Sequence, residues 1–341
     1  MGPVNPEPLA VRADPPAQLE VPPAHLELSW RPLQLGDVDA LHALVVAVEE
    51  ADGAPVRTSR EELVETLSEP WRDLLRDSLG GWDADGVLRA YALVTVRPGD
   101  EHTIRAFLTG GVDPAWRGRG IGRAVLAWME GRGRQKLAES GKDGPGRLAV
   151  YVDENARDHR RLYAAAGFSP IRWYTQMRRD LSRPLPDAVP LEGVRVVPWA
   201  PELDDAVRLA HNEAFADHWG SEPRTPEDWR HGPHFAPSWS FVALDDAGEV
   251  VGYTLSGRYD QDWPVLGYTF GYTDLLGVRP AWRGRRVAVA LLVRAMTAFR
   301  DDGMAYAMLG VDTANPSGAH GLYERLGYES VHGEVMYSVE I

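Results

Sequence analysis

The spacing of apolar and polar residues predicts the same series of helices and strands twice along the chain. In the first half, helices are predicted at Val38–Glu50 and Gly120–Ala138, and a helical or loop segment at Ser59–Leu75. Strands are predicted at Val87–Arg97, Thr103–Val112, Arg147–Val152 and Ile171–Arg178. The second half contains the corresponding segments at Asp204–Phe215, Thr225–His231, Trp239–Leu244, Val250–Gly257, Tyr268–Val278, Val287–Arg300, Ala305–Val311 and Ser330–Val339. Antiparallel strands followed by a strand–helix–strand unit predict an α/β fold with a mixed sheet in each half.

Two short motifs recur at matched positions in the two halves. Val112–Arg119 reads VDPAWRGR and Val278–Arg285 reads VRPAWRGR, so seven of eight positions are identical. Downstream, an asparagine precedes a Leu-Tyr pair in each half, and the spacing from asparagine to tyrosine is eight residues in both. Two matched anchors at this spacing indicate a tandem duplication.

Proline-rich segments set the expected domain boundaries. Residues 1–25 contain seven prolines and little apolar periodicity, which predicts a disordered tail. Three prolines in LSRPLPDAVPLEG predict a linker at residues 183–193. We therefore expect one domain at 26–182 and a second at 194–341.

Composition and charge narrow the function. The 341 residues carry a formal net charge of −14 and include no cysteine. This excludes disulfides, cysteine nucleophiles and thiolate metal sites, and it fits a reducing cytoplasm. Surplus negative charge argues against non-specific nucleic-acid binding, and it fits either a cationic substrate or an acidic surface kept for solubility. With no run of about 18 apolar residues and no secretory signal, we expect a cytoplasmic protein without a membrane partner.

Four histidines lie in one stretch of the second half, at His211, His218, His231 and His234. They lack the helical HExxH spacing and have no thiolate partners, so the sequence predicts surface or substrate-pocket histidines and no metal site.

The glycine- and arginine-rich turn after each VxPAW segment has the features of a phosphate site. In Val112–Arg123 a strand leads through glycines 118, 120 and 122 into a helix. A helix N-terminus exposes unpaired backbone N–H groups, glycines allow close approach of a diphosphate, and arginines add charge. The G-x-G-x-G spacing matches neither a Walker loop nor a dinucleotide-binding fingerprint, and a solvated helix entry is the alternative.

The motif R-G-x-G-x-G after a V-x-P strand end resembles the acyl-CoA-binding motif of the GNAT N-acetyltransferase superfamily. The downstream Asn…LY…GF/GY pattern resembles the next motif of that superfamily. Both halves carry both motifs, and the tandem arrangement is similar to that of mycothiol synthase and related tandem acetyltransferases. The resemblance implies an opening between the fourth and fifth strands of each half, where the cofactor's pantetheine arm inserts.

The resemblance also implies a set of residues for binding acetyl-CoA. Gly110 and Gly111 are candidates for a bulge or a close approach in the first half. The full set is Gly110, Gly111, Val112, Arg117, Gly118, Arg119, Gly120, Ile121, Gly122, Arg123 and Asn155 in the first half, and Leu276, Gly277, Val278, Arg283, Gly284, Arg285, Arg286, Val287, Ala288, Val289 and Asn315 in the second.

Transfer of an acyl group from a thioester to an amine needs a group that receives the amine's proton and a group that protonates the thiolate. Tyr163 and Tyr323 fit the superfamily position of the general acid, with core packing as the alternative. Asp274 is the candidate base because an acid on an apolar strand is costly without a task. Strict alternation would place it on the face of Leu276 and Val278, and the equivalent residue of the first half is Leu108. A structural hydrogen-bond acceptor is the alternative.

The halves differ in ways that bear on catalysis. The second half reads RGRRVA, with Arg286 and Ala288 in place of two glycines, and Arg286 either strains the turn or adds a cation. We therefore expect transfer in the second half, with the first binding the cofactor.

We therefore expect an acetyl-CoA-dependent N-acetyltransferase that acts on a small-molecule amine by direct attack in a ternary complex, as a monomer or homodimer. A non-catalytic acyl-CoA sensor or scaffold and mycothiol synthase proper are the alternatives.

Overall fold

The computed structural model describes residues 7–187, 191–314 and 318–341, and the chain divides into two compact units. Unit 1 contains the residues up to Ile171 together with Val335–Ile341, and unit 2 contains Arg172–Glu334. Each unit is a mixed sheet with helices on both faces.

Unit 1 is built around an antiparallel meander that ends in one parallel pair. Its elements are α1 (Leu9–Arg12), β1 (Ser29–Arg31), α2 (Val38–Asp52), α3 (Arg60–Ser68), α4 (Leu74–Asp77), β2 (Ser78–Trp82), β3 (Leu88–Val96), β4 (Ile104–Val112), α5 (Ile121–Glu139), β5 (Gly146–Asp153) and α6 (Arg157–Ala165). The strand order is β1-β2-β3-β4-β5, antiparallel except for the parallel β4–β5 pair.

Unit 2 repeats this plan. Its elements are β6 (Ser169–Asp180), β7 (Val194–Pro198), α7 (Asp204–Ala214), β8 (Phe241–Asp245), β9 (Val250–Gly257), α8 (Trp263–Leu266), β10 (Phe270–Val278), α9 (Val287–Asp301), β11 (Tyr306–Asp312), α10 (Ala319–Arg325) and β12 (Glu329–Glu340). The strand order is β6-β11-β10-β9-β8-β7, and β10–β11 is the parallel pair.

The compact units do not follow the linker. The division falls after Ile171 inside β6 and after Glu334 inside β12, so each of these two strands has residues in both units. The sequence-based boundaries, 26–182 and 194–341, assign each strand whole to one half. Residues 188–190 of the expected linker lie outside the described residues.

The main elements match the sequence pattern, and the departures have local causes. The segment Thr225–His231, for which helix and loop were both open, forms turns. The strands β1, β2 and β7 are too short or too polar to show a clear period. In β2, Gly80 and Gly81 lower strand propensity, but a Cβ on Gly81 would lie 2.6 Å from the Trp30 ring. Tertiary packing therefore requires glycine at this place in the strand.

Each sheet is covered on both faces by apolar clusters. In unit 1, α2 contributes Leu41, Leu44 and Val45, which follow the helical i, i+3, i+4 spacing, and α5 packs on the opposite face through Val125 and Met129. In unit 2, α7 and α9 divide the two faces in the same way. Among the described residues no helix combines the length and apolar composition that a membrane crossing requires.

The N-terminal segment is ordered from residue 7 onward, although its prolines predict a disordered tail. Residues 9–12 form α1, and Leu9 is fully buried in the core of unit 1. The Leu9 side chain packs against Gly146, because a Cβ on Gly146 would lie 2.6 Å from a Leu9 methyl carbon. The Arg12 guanidinium donates to the Gly144 carbonyl at 2.7 Å. One apolar anchor and one half-buried, hydrogen-bonded arginine thus fix a segment of low helical propensity. Residues 1–6 lie outside the described residues.

Substitution Leu9→Ala should lower the free energy of unfolding of unit 1 by about 2–5 kcal/mol, because it leaves a cavity in a packed core. Val11 is 59% exposed on the same helix, so Val11→Ala should change it by less than about 0.5 kcal/mol. Urea denaturation followed by tryptophan fluorescence measures both. Equal effects of the two variants would show that α1 does not stabilise the core.

Candidate active site

The parallel strands separate part-way along their length in each unit. In unit 1 the β4–β5 register runs from Ile104–Gly146 to Phe107–Ala149, while β4 continues to Val112. In unit 2 the β10–β11 register runs from Phe270–Tyr306 to Thr273–Leu309, while β10 continues to Val278. Strand edges that face each other without pairing leave backbone donors and acceptors for an inserted extended group.

The turn after β4 brings backbone amides to the mouth of this opening. Gly118 (φ 79°) and Gly120 (φ 91°) are in the left-handed region, which glycine adopts without steric cost. The amide of Ala124 donates to the Gly120 carbonyl, so the amides of residues 121–123 precede the first bond of α5. A Cβ on Gly118 would meet nothing within 4 Å, so the turn faces open space.

The first arginine of each turn anchors the turn to the preceding helix. In unit 1, Arg117 Nη2 lies 3.0 Å from Asp52 Oδ2 at the end of α2. In unit 2, Arg283 Nη1 lies 2.6 Å from Asp217 Oδ2, and its Nη2 donates to the Ala214 carbonyl at 2.7 Å. The Asp217 carboxylate raises the pKa of Arg283 through this hydrogen bond. These guanidinium groups are therefore engaged before any ligand binds.

The later arginines of the two turns are differently placed. Arg119 lies over the Trp116 ring at 4.5 Å, and Arg285 lies over the Trp282 ring at 4.8 Å. Arg286 has φ 63°, so a residue with a Cβ occupies the left-handed position that Gly120 holds in unit 1. Of the two alternatives for Arg286, strain of the turn agrees with this backbone conformation, since the left-handed region disfavours Cβ-bearing residues.

A β-bulge places Asp274 at the point where β10 and β11 separate. The β9–β10 register shifts between Thr273 and Leu275, so Asp274 is the additional residue. The bulge changes the alternation that the sequence suggests. Leu275 packs in the α7 cluster, whereas Leu276 and Val278 pack in the α9 cluster.

Asp274 lies on the α7 face, opposite Leu276 and Val278, and the predicted face was wrong. A Cβ on Gly257, which pairs with Tyr272, would lie 2.6 Å from Asp274 Oδ2. Leu108 pairs with Val94 and Thr273 pairs with Ser256, so strand register makes Leu108 of unit 1 equivalent to Thr273. Asp274 has no counterpart in β4, because β4 has no bulge.

The environment of Asp274 holds its pKa near neutrality. Desolvation by the surrounding protein raises the pKa of Asp274 to about 7, while a hydrogen bond from the Tyr259 hydroxyl and the charge of His234 lower it. The Tyr259 hydroxyl donates to Oδ1 at 2.7 Å. Asp274 is nevertheless exposed, so its carboxylate can be reached from solvent.

The two candidate acids occupy equivalent places on α6 and α10. Burial raises the pKa of both Tyr163 and Tyr323 to about 12, so both phenols stay protonated at neutral pH. Tyr323 is buried and packs against Tyr328, while Tyr163 is half-buried and packs against Phe168. Within the described part of the chain, neither hydroxyl has a hydrogen-bond partner.

Comparison with known proteins identifies the family. The sequence profile of the acetyltransferase (GNAT) family matches residues 46–168 and 204–328. The chain belongs to the acetyltransferase (GNAT) family. A mycothiol acetyltransferase of Nocardia farcinica is 31% identical to this acetyltransferase over 88% of the chain and 93% of the relative. One of Thermobispora bispora is 33% identical over 89% and 96%.

Solved structures confirm the tandem fold of the acetyltransferase. A GCN5-related N-acetyltransferase from Sphaerobacter thermophilus has a TM-score of 0.69 at 27% identity and covers 92% of this chain and 96% of that one. A tandem GNAT protein from the clavulanic acid biosynthesis pathway has a TM-score of 0.69 at 22% identity, with coverage of 92% and 98%. The sequence-based expectations of a mixed α/β fold, two GNAT domains and an acetyl-CoA-dependent N-acetyltransferase are confirmed.

The turn of unit 1 fits the diphosphate of acetyl-CoA. Two left-handed glycines, open space at Gly118 and the N-terminal amides of Ile121, Gly122 and Arg123 at a helix of 19 residues are the features that an anion site requires. That these residues bind the diphosphate stays a prediction. The turn of unit 2 presents the amides of Val287, Ala288 and Val289 in the same way, because the first helical bond comes from Ala290 to Arg286. That Gly284, Arg285 and these amides bind the cofactor stays a prediction.

The strand glycines have a packing role that the sequence does not reveal. A Cβ on Gly111 would lie 2.8 Å from the Tyr91 ring, and one on Gly277 would lie 2.5 Å from the Tyr253 ring. The β3–β4 register is regular through Gly110 and Gly111, so the bulge considered there does not form in unit 1. These glycines make room for a buried tyrosine on the neighbouring strand.

Two candidate asparagines carry less structural information. The Asn155 side chain is exposed, and the Asn155 backbone N–H donates to Asp153 Oδ1 at 2.7 Å in a turn at the end of β5. Asn315 lies outside the described residues.

His211, one of the four grouped histidines, is buried against the Tyr253 hydroxyl at 2.5 Å, and burial lowers its pKa to about 4.

Sequence reasoning missed three contributors to this site. Asp52 and Asp217 stand 65 and 66 residues before the arginines they bind, and comparing the repeats further upstream would have found them. Tyr259, the partner of Asp274, lies in a YDQDW loop that has no motif and no counterpart in the first half.

Exchanging the residues at the left-handed position tests the strain in the turns. Arg286→Gly should raise the free energy of unfolding by roughly 0.5–1 kcal/mol in the absence of CoA, because relief of the left-handed strain exceeds the entropy cost of glycine. Gly120→Arg should lower it by about 1–2 kcal/mol. Urea denaturation measures both variants, and a destabilising Arg286→Gly would contradict strain at this position.

Proposed function

We propose that unit 2 transfers the acetyl group of acetyl-CoA to the amine of a small molecule, and that unit 1 binds acetyl-CoA without transferring it. The observation that carries this proposal is the bulge at Asp274. It presents a solvent-accessible carboxyl of near-neutral pKa where β10 and β11 separate, and unit 1 has no residue in that position.

Asp274 serves as the general base. A carboxylate with a pKa near the working pH combines a useful deprotonated fraction with the ability to take a proton from an ammonium group. Oδ1 accepts the Tyr259 hydrogen bond, so Oδ2 is the oxygen that receives the proton of the amine, directly or through water. Bound acetyl-CoA supplies a thioester carbonyl carbon that a neutral amine can attack.

Tyr323 serves as the general acid. Its hydroxyl remains protonated at neutral pH and is not engaged by another described residue, so it can donate a proton to a thiolate. The amine nitrogen gains the acetyl group, the carbon–sulfur bond breaks, Asp274 gains the amine's proton and Tyr323 loses one. Backbone amides at the separated edge of β10 are the donors available for the oxyanion.

Unit 1 supports cofactor binding better than transfer. Its turn has the two left-handed glycines of the motif, whereas β4 keeps a regular register and carries only Phe107 and Leu108 where the strands separate. An amine there would find no carboxylate on the strand.

A small-molecule acceptor is supported by the relatives, which are named mycothiol acetyltransferases. All groups assigned to the reaction lie in unit 2, so one chain is sufficient for turnover. We place the enzyme in the cytoplasm, where acetyl-CoA is available.

Substitution Asp274→Asn should lower kcat/KM by about 10²-fold or more, because general base catalysis is lost. Tyr323→Phe should lower kcat by about tenfold or more, while the matched variant Tyr163→Phe should leave turnover unchanged. Release of free CoA thiol in the presence of a primary-amine panel is the measurement, with calorimetric CoA titration as the folding control. A loss of activity in Tyr163→Phe equal to that in Tyr323→Phe would contradict the assignment to unit 2.

The pH profile reports the state of Asp274. Because the base must be deprotonated, kcat/KM should rise with pH through about 7 and then level off. Tyr259→Phe removes a hydrogen bond to the charged carboxylate, which raises the pKa of Asp274, so the rising limb should move to higher pH. The same amine is used for both proteins, so its own ionisation cancels. A limb that stays in place would exclude Asp274 as the titrating group.

A further inference from the structure

Gly310 lies across the opening from Asp274. It is the first residue of β11 beyond the last pair of the parallel register, Thr273–Leu309, and it is exposed. A Cβ on Gly310 would lie 3.0 Å from the Tyr272 hydroxyl oxygen and 3.3 Å from the Gln176 amide nitrogen. The two polar groups therefore lie close to the Gly310 backbone, and because Gly310 is exposed and has no side chain, the space beside them is open to solvent.

Gln176 offers a hydrogen-bond donor to this space. It is half-buried on β6 directly opposite Gly310, and its Oε1 accepts from the Tyr272 hydroxyl at 2.8 Å. Within the described part of the chain, its amide nitrogen donates to no protein group. The oxygen is fixed by Tyr272, so the carboxamide presents its N–H groups in one orientation.

The same space lies beside the proposed base. Tyr272 pairs with Gly257, and a Cβ on Gly257 would contact Asp274, so Tyr272 and Asp274 share one face of the sheet. The Tyr259 ring, whose hydroxyl holds Asp274, contacts the Tyr272 ring edge-on at 5.6 Å between centroids. One set of contacts thus links the carboxylate to Gln176.

Unit 1 fills the equivalent space with an aromatic pair. Phe107 of β4 is equivalent to Tyr272 of β10, because the two residues occupy the same position in the register with β3 and β9. Counting two residues onward along the next parallel strand makes Tyr151 of β5 equivalent to Gly310 of β11. Tyr151 and Phe107 stack with centroids 6.1 Å apart and planes 8° from parallel. The duplicated units have therefore diverged where the strands separate, and only unit 2 leaves this place open.

We propose that Gly310, Gln176 and Tyr272 form the acceptor subsite of unit 2, which binds an oxygen atom carried close to the reacting amine. The inference rests on the proposed function of unit 2. An N–H donor beside a gap with no side chain selects a hydroxyl, ether or carbonyl oxygen, and the nearby carboxylate selects the amine. The acceptor is thus a polar amine, such as an amino alcohol, amino sugar or amino-acid amide, rather than an alkylamine.

Matched amine pairs test the subsite. Glucosamine and cyclohexylamine share a six-membered ring, and alaninamide and isopropylamine share a branched amine, but one member of each pair lacks oxygen. In Gln176→Leu, KM for the oxygen-bearing member should rise about tenfold at similar kcat, and kcat/KM for the other member should not change. Free CoA release is the readout, and calorimetric CoA affinity should equal that of the wild type.

Two glycine-position variants provide the steric test. Gly310→Tyr introduces the residue of unit 1 and should reduce amine turnover at least a hundredfold while CoA binding persists. Gly310→Ala should give a smaller rise in KM. Tyr151→Ala opens the corresponding place in unit 1 and is the control that should leave turnover unchanged.

The outcomes separate the two proposals. If the wild type turns over the amines but Gln176→Leu changes kcat/KM equally for both members of each pair, the subsite proposal is wrong. It is also wrong if Gln176→Leu changes only kcat. In both cases the proposed function of unit 2 is unaffected. Normal turnover in Gly310→Tyr also overturns the subsite. Wild-type protein that releases no CoA thiol with any amine contradicts the proposed function and, with it, this inference.

Discussion

The candidate site depends on two neighbouring parallel strands that stop pairing part-way along their length. Where β10 and β11 separate after Thr273 and Leu309, the sheet exposes N–H and C=O groups that would otherwise be satisfied within it. Leaving such groups unpaired costs free energy unless water or a ligand forms hydrogen bonds with them, so the separated edge can bind an extended ligand. The bulge that carries Asp274 and the turn that follows β10 both belong to the strand whose edge separates.

In the function proposed for this enzyme, duplication separates binding from chemistry. Both retain the anchored turn, with Arg117 held by Asp52 and Arg283 held by Asp217. They differ where the strands separate: unit 2 adds a residue to the strand and loses a side chain from its neighbour, whereas unit 1 keeps a regular strand and a stacked aromatic pair. One inserted residue supplies a carboxylate, and one glycine supplies space.

The sequence predicted the fold well because its signals are local and repeated. Helix and strand periods, the duplicated VxPAWRGR segment and the glycine turn can all be read within short windows. The site could be predicted only in part. Asp274 was found as an acid on an apolar strand, but its face was wrong because a single bulged residue reverses the alternation, and alternation alone gives no sign of a bulge. Asp52, Tyr259 and Gln176 were missed because long loops and strand crossovers bring them to the site.

The division inside β6 and β12 has a consequence for how the two repeats can be handled. A cut in the linker near residue 187 yields a first fragment that carries Arg172–Asp180, which belongs to unit 2, and lacks Val335–Ile341, which belongs to unit 1. The second fragment has the converse defect. Unit 2 is one continuous segment, Arg172–Glu334, and can be produced by cutting inside β6 and β12 rather than in the linker. Unit 1 is discontinuous, so a single-unit version would need Val335–Ile341 joined to its other segment or supplied as a peptide.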